Sequence, residues 1–190
     1  MENELGDNFV LITCGLPSTA KTGISKGIAR IKGYPVLRSD LIRLEVLKGE
    51  DVFDEKVASD MTKRTAVYDE MFRRADDALK KSGGVILDAT FISQELRRRA
   101  AEIAAKHKLA LIIVETVCPQ EVALERVRRR AAKDYESNAL TERAYLNNKK
   151  AFEKVDLADL KKSYPELAII HIVVDTTRDQ EWYVTRVENK

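Results

Sequence analysis

A chain of 190 residues is long enough to bury a core of its own and short enough to form one domain. Its 33 Lys and Arg against 31 Asp and Glu leave a net charge of only +2, which excludes a global field that would draw it onto nucleic acid or a membrane. No apolar run approaches the ~20 residues that cross a bilayer, and Met1–Asp7 is acidic where a signal peptide is basic, so a cytoplasmic protein without membrane partners is expected. Cys14 and Cys118 are too few for a disulfide framework or a zinc site and read as small apolar residues kept reduced.

The first apolar run, Phe9–Cys14, leads into Gly15-Leu16-Pro17-Ser18-Thr19-Ala20-Lys21-Thr22-Gly23 and a helical stretch, Lys21–Lys32. A phosphate-binding loop requires Gly-x4-Gly-Lys-Ser/Thr between a strand and a helix. Its backbone N–H groups wrap a phosphate, the Lys reaches the terminal oxygens and the hydroxyl ligates Mg²⁺. Gly15, Lys21 and Thr22 fit that pattern, and Ala20 stands where the second glycine belongs. The plain alternative is a Gly/Pro turn with Lys21 and Thr22 on the surface.

Four more apolar runs follow at Pro35–Ser39, Gly84–Asp88, Leu109–Val117 and Leu167–Asp175. Helical patterns occupy Leu41–Lys48, Asp54–Lys81, Ser93–Lys108, Pro119–Lys133, Thr141–Lys154 and Asp179–Glu188. Strand and helix in alternation predict an α/β fold, a five-stranded parallel sheet with helices on both faces. Unbroken Val, Ile and Leu in the runs fit strands buried on both sides. Ligands of such sheets sit beyond the carboxyl ends of the strands, so the residues just after each run are the candidates.

After the second run, Asp40 is placed to orient and deprotonate an acceptor hydroxyl, with Arg43 one helical turn on to hold an anionic part of the substrate. Position alone leaves open the alternative that Ser39 or Asp40 caps a helix and Arg43 is solvated. Asp88 ends the third run in Asp88-Ala89-Thr90-Phe91, the arrangement in which a carboxylate ligates Mg²⁺. Downstream, Arg97, Arg98 and Arg99 spread around a helix, so one or two at most face the site. The basic stretch with Arg126, Arg128, Arg129 and Arg130 empties into a polar loop and reads as a lid, about residues 126–148, whose Arg126 and Arg130 close on the transferred phosphoryl. A salt-bridged surface helix is the alternative. His107 and His171 lack partners at metal spacing and read as structural, and Tyr68 and Tyr145 read as packing residues rather than base-stacking ones.

Together these residues resemble the P-loop kinases of the polynucleotide-kinase-like and zeta-toxin-like group, within the adenylate-kinase-like superfamily. The resemblance implies a sheet in the order 2-3-1-4-5 with a small helical lid, all within one domain over 1–190. It implies ATP and Mg²⁺ as cofactors, with ATP on Gly15 through Gly23 and the metal on Thr22 and Asp88. Lys21, Asp40, Arg126 and Arg130 would be the catalytic set, and Arg43, Thr90 and Arg97 would bind the acceptor. The implied activity is transfer of the γ-phosphate to a hydroxyl of a small molecule or a polynucleotide 5′ end. Ala20, and Gly23 where the family usually has Ser or Thr, depart from the pattern. They keep alive a second reading, a catalytically degenerate nucleotide-binding module used for interaction or regulation.

Overall fold

The computed structural model describes residues 8–52, 57, 60–131 and 141–190. Its elements in chain order are β1 (Phe9–Cys14), α1 (Lys21–Lys32), β2 (Val36–Arg38), α2 (Ser39–Val46), α3 (Met61–Leu79), β3 (Val85–Asp88) and α4 (Gln94–Lys106). They continue with β4 (Ala110–Val117), α5 (Gln120–Ala131), α6 (Glu142–Ala151), α7 (Leu157–Ser163), β5 (Ile169–Arg178) and β6 (Glu181–Asn189). The sheet runs β2-β3-β1-β4-β5-β6. Its first five strands are parallel, and β6 lies antiparallel on β5.

β1 is central and wholly buried, and its side chains alternate between two apolar clusters. Val10, Ile12 and Cys14 pack with Val85, Leu87, Leu111 and Ile113 against α3, α4 and α7. Phe9 and Leu11 pack with Ile86, Ile112, Val114 and Val174 against Ile24 and Ile28 of α1. Each such fully buried aliphatic side chain is worth about 1.5–3 kcal/mol, so β1 is the most firmly held element and the natural base for a functional loop.

Two sequence expectations are corrected. Asp179–Glu188 is not a helix: Glu181–Asn189 forms a sixth strand, β6. Trp182, Tyr183, Val184, Thr185 and Val187 are aromatic or β-branched and suit a pleated surface, and Gln180, at φ 65, makes the tight reversal that brings the strand back onto β5. The stretch expected as one helix, Thr141–Lys154, ends at Ala151, and a short α7 follows, capped by Asp156, whose side chain accepts from the Asp159 N–H. Of the helix expected at Asp54–Lys81, Met61–Leu79 is present; residues 53–56 and 58–59 lie outside the described part. The middle of the expected lid, 132–140, also lies outside it, between α5 and α6. Among the described residues no helix is long and apolar enough to cross a membrane.

Candidate active site

The β1–α1 turn is held by the carboxyl ends of three neighbouring strands. The Gly15 N–H donates to the Thr90 carbonyl just past β3 at 3.1 Å. From β4, the Thr116 hydroxyl meets that of Thr19 at 2.6 Å; from β5, the Thr176 hydroxyl donates to the Thr19 carbonyl at 3.2 Å. Gly15 must be glycine: its φ is +132°, and a Cβ there would lie 2.6 Å from the Thr116 carbonyl oxygen. Ser18 and Ala20 also sit in the left-handed region, at φ 64 and 62. Ala20 is the N-cap of α1 and no side chain caps that helix, so the positive end of its dipole is left for an anion. The Ser18 side chain adds a buried hydroxyl, only 4% exposed, that has no hydrogen-bond partner among the described residues. An orphaned donor beside an uncapped helix start is a cradle whose chemistry fits phosphate. Lys21 Nζ lies in the same loop, donating to the Leu16 carbonyl at 2.5 Å.

On the β3 side of this turn the Thr22 hydroxyl donates to Asp88 Oδ2 at 2.7 Å. Asp88 is 5% exposed and is steadied from below by the Thr13 hydroxyl, 3.2 Å from Oδ1. Thr13 in turn accepts from the Ala89 N–H at 3.1 Å. Arg38 Nε approaches Asp88 Oδ2 at 3.7 Å. The hydroxyl and carboxylate meeting here are the donor set that Mg²⁺ takes, since Mg²⁺ uses one or two protein carboxylates and completes its shell with water and substrate phosphates. Among the described residues no group of three or more His, Cys, Asp or Glu builds an all-protein cage.

Asp40 stands in the first turn of α2, within reach of the charge of Asp88. Because α2 begins at Ser39, the N-cap position falls on Arg38 and no side chain caps the helix. Burial, and secondly the charge of Asp88, raise the pKa of Asp40 above the ordinary aspartate value, against the opposing pull of Arg38, Lys21 and Arg43. Such a carboxylate is a stronger proton acceptor than an exposed one.

Arg43, one turn further, is 8% exposed, and neither its Nε nor its Nη1 has a hydrogen-bond partner among the described residues. Burial, and then the charge of Arg64, push its pKa down, and the charge of Asp40 offsets part of this. A buried guanidinium with idle donors facing another cation is a site that gains from an anion. Thr90 is near: the Tyr68 hydroxyl lies 3.5 Å from the Thr90 hydroxyl and accepts from the Phe91 N–H at 3.2 Å. Tyr68 itself is 4% exposed in the core, as is Tyr145 at 2%, so both pack rather than stack on a base.

The arginines expected downstream divide. Arg126 reaches the phosphate-loop turn: its Nη1 donates to the Ser18 carbonyl at 3.5 Å, and its Nη2 to the Thr176 carbonyl at 2.6 Å and to Asp179 at 2.7 Å. It ties loop, β5 and the start of the β5–β6 hairpin together. The side chain of Arg130 lies outside the described residues. Arg97 does not face the site. It is fully buried under α4, where its two terminal nitrogens donate to the carbonyls of Ile92, Glu153 and Lys154 and to Gln94, so its charge is spent on the protein's own oxygens. His107 and His171 pair with Asp76 and Glu115, each at 2.8 Å. Sequence reasoning missed Thr13, Arg38, Arg64, Thr116 and Thr176. The first and the last two are threonines in or at the end of apolar strands, which periodicity alone reads as strand filler.

A mostly parallel sheet in this order, with helices on both faces and a phosphate-loop turn between β1 and α1, defines a P-loop kinase-like fold. Solved structures share it. Kti12 of Chaetomium thermophilum, determined in complex with ADP-AlF3, is similar with a TM-score of 0.64 and 17% identity over 90% of either chain. A sugar kinase from Janibacter sp. HTCC2649 gives 0.64 and 14%, covering 89% of this chain and 86% of that one. A gluconokinase from Sinorhizobium meliloti gives 0.60 and 15%, covering 90% and 83%. Residues 10–155 match the AAA domain family, and the chain belongs to that family. Uncharacterized proteins of Mycobacterium bovis and Mycobacterium tuberculosis are 29% identical to it over 131 residues, 66% of this chain. The chain spans 26% of the length of those relatives.

Proposed function

We propose that this chain is an ATP- and Mg²⁺-dependent phosphotransferase that moves the γ-phosphate to a hydroxyl of an acceptor bearing an anionic group. The observation that carries the reading is the convergence at one mouth of the sheet: Thr22 bonded to Asp88 at 2.7 Å, with Asp40 within reach of the charge of Asp88 and held above its ordinary pKa by burial and by that charge. Thr22 and Asp88 would hold the metal, which when bound neutralises charge on the phosphate oxygens. Lys21 exchanges its bond to the Leu16 carbonyl for the β- and γ-phosphate oxygens. Asp40 takes the proton of the acceptor hydroxyl as that oxygen attacks phosphorus. Arg43, together with the charge of Arg64 and the Thr90 hydroxyl, holds the anionic end of the acceptor and thereby sets the distance between hydroxyl and phosphate. Arg126 keeps the loop backbone seated, and Arg130 joins it if the lid closes over the phosphates. The domain as a whole, with a lid over about 126–148, follows the polynucleotide-kinase-like and zeta-toxin-like pattern. The acceptor is a small molecule or a polynucleotide 5′ end.

Transfer from γ-labelled ATP, screened over RNA 5′ ends, nucleosides, sugar acids and neutral sugars, tests this reading. Label transferred to an anionic acceptor and abolished in Asp40→Asn supports it; label released to water alone in both proteins counts against it. The degenerate-module reading rests on the left-handed Ala20 and requires that nucleotide bind with no acceptor labelled at all.

A further inference from the structure

The nucleoside end of the substrate has received no partner so far, and the corrected β6 supplies one. Trp182, the only tryptophan in the chain, lies near the start of β6. The six-membered edge of its indole rests on the first turn of α1: a Cβ added at Gly23 would come within 2.5 Å of Cη2 and 3.3 Å of Cζ2. Gly23 directly follows the proposed metal ligand Thr22. The missing side chain at 23, which departs from the family pattern, and the tryptophan are therefore one feature: the glycine makes room for the ring. Trp182 is 37% exposed even so.

The direction in which a bound triphosphate must run follows from the site. Asp88, Asp40 and Arg43 lie on the β3 and β2 side of β1, so the reacting γ-phosphoryl lies there. The chain of phosphates crosses the uncapped start of α1, and the orphaned Ser18 hydroxyl marks that crossing. The nucleoside then leaves on the opposite side of β1, toward β4, β5 and β6. Arg126 and Asp179 line that exit, and Trp182 stands beside it on Gly23.

We infer that Trp182 is the platform on which the base of the nucleotide stacks, an inference that rests on the phosphotransferase reading above. A half-open indole beside a phosphate cradle offers a π-face without hydrogen-bond selection, so it holds a base by ring area and tolerates its identity. Gly23 sets how close the platform stands to the phosphates.

The test uses the whole chain with MgATP and with inorganic tripolyphosphate, which has the phosphates and no base. In wild type, ATP changes the fluorescence of the sole tryptophan and tripolyphosphate leaves it nearly unchanged. By calorimetry, Trp182→Leu, which keeps apolar packing on Gly23, weakens ATP by about five- to a hundredfold, the worth of one base–aromatic stack. Trp182→Phe loses only a small part of that, and tripolyphosphate binds all three proteins alike. Equal losses of ATP and tripolyphosphate in Trp182→Leu would make Trp182 a packing residue and overturn the inference, with the phosphate-loop reading intact. ATP binding to wild type with no spectral change, and undiminished in Trp182→Leu, overturns it as well. If wild type binds neither ligand, both the inference and the phosphotransferase reading fail.

Discussion

Restoring the pattern glycine at Ala20 asks what the loop's backbone costs. Ala20 sits at φ 62, ψ 16, in left-handed space, which costs an L-residue roughly 1–2 kcal/mol and glycine nothing. Ala20→Gly releases that strain but gives the unfolded chain about 0.4–1 kcal/mol more conformational entropy. The net stabilisation lies between about 0 and 1.5 kcal/mol, a rise in Tm of up to about 5 °C for a chain of this size. The sign is the diagnostic part. An alanine in ordinary helical space, such as Ala66 inside α3, should lose about 1 kcal/mol on the same change. Ala20→Val, which puts a β-branched residue at positive φ, should fall below wild type by more than Ala20→Gly rises. If the loop must tighten its left-handed turn to close on phosphate, Ala20→Gly also strengthens ATP binding by up to about tenfold and leaves the acceptor KM nearly unchanged. Thermal unfolding and calorimetry on the four proteins decide it. A Tm for Ala20→Gly depressed as far as that of Ala66→Gly, with ATP affinity equal to wild type, would refute the strain argument and remove the main support for a degenerate site.

Lys21→Ala should abolish ATP binding measured by calorimetry while leaving the circular dichroism spectrum intact, since Lys21 Nζ is engaged by a loop carbonyl rather than by the core. Asp40→Asn should keep ATP affinity and lose turnover by about 10²–10⁴, the usual worth of a general base. It should also raise Tm at pH 7: the folded pKa of Asp40 is raised, so native protein binds more protons than unfolded chain in that window and loses stability as pH rises through it. The advantage of Asp40→Asn then disappears below the ordinary aspartate range, as pH-dependent melting would show. Arg43→Met removes a buried cation next to Arg64, so it should raise Tm while weakening an anionic acceptor by about 1.5–3 kcal/mol, read as KM. Cys14, whose thiol burial pushes up to about 11, should resist thiol reagents at pH 8 until the protein unfolds, while half-buried Cys118 reacts first.

The parts of this site visible in the sequence are those whose chemistry forces a local pattern. Gly15, Lys21 and Thr22 sit at fixed spacing because one turn must present them all to one phosphate, and Asp88 stands out as a charge ending a buried strand. Arg97 shows the limit. In the first turn of the helix that follows Asp88 its charge looks like a ligand's, but a long side chain can turn inward, and only the three carbonyls around it reveal that it did. β6 was hidden for another reason. The turn before it and its far end, Asp179–Glu181 and Arg186–Glu188, carry enough charge to resemble a surface helix, whereas an edge strand tolerates the same charges because nearly all of its side chains meet water.

The contacts missed in the sequence share a logic with the strain at Ala20. A turn with two non-glycine residues in left-handed space persists only where its surroundings over-determine it. Thr116 and Thr176 fix Thr19, Arg126 fixes the Ser18 carbonyl, and the Thr90 carbonyl fixes Gly15. Each net hydrogen bond of this kind contributes on the order of 0.5–1.5 kcal/mol, so together they are of the size of the strain, roughly 1–2 kcal/mol for each left-handed residue. Those braces come from β3, β4, β5 and α5, separated in sequence by up to 157 positions. No local window of the chain contains them, which is why the loop's residues can be read from the sequence while the reason the loop holds its shape can be read only from the fold.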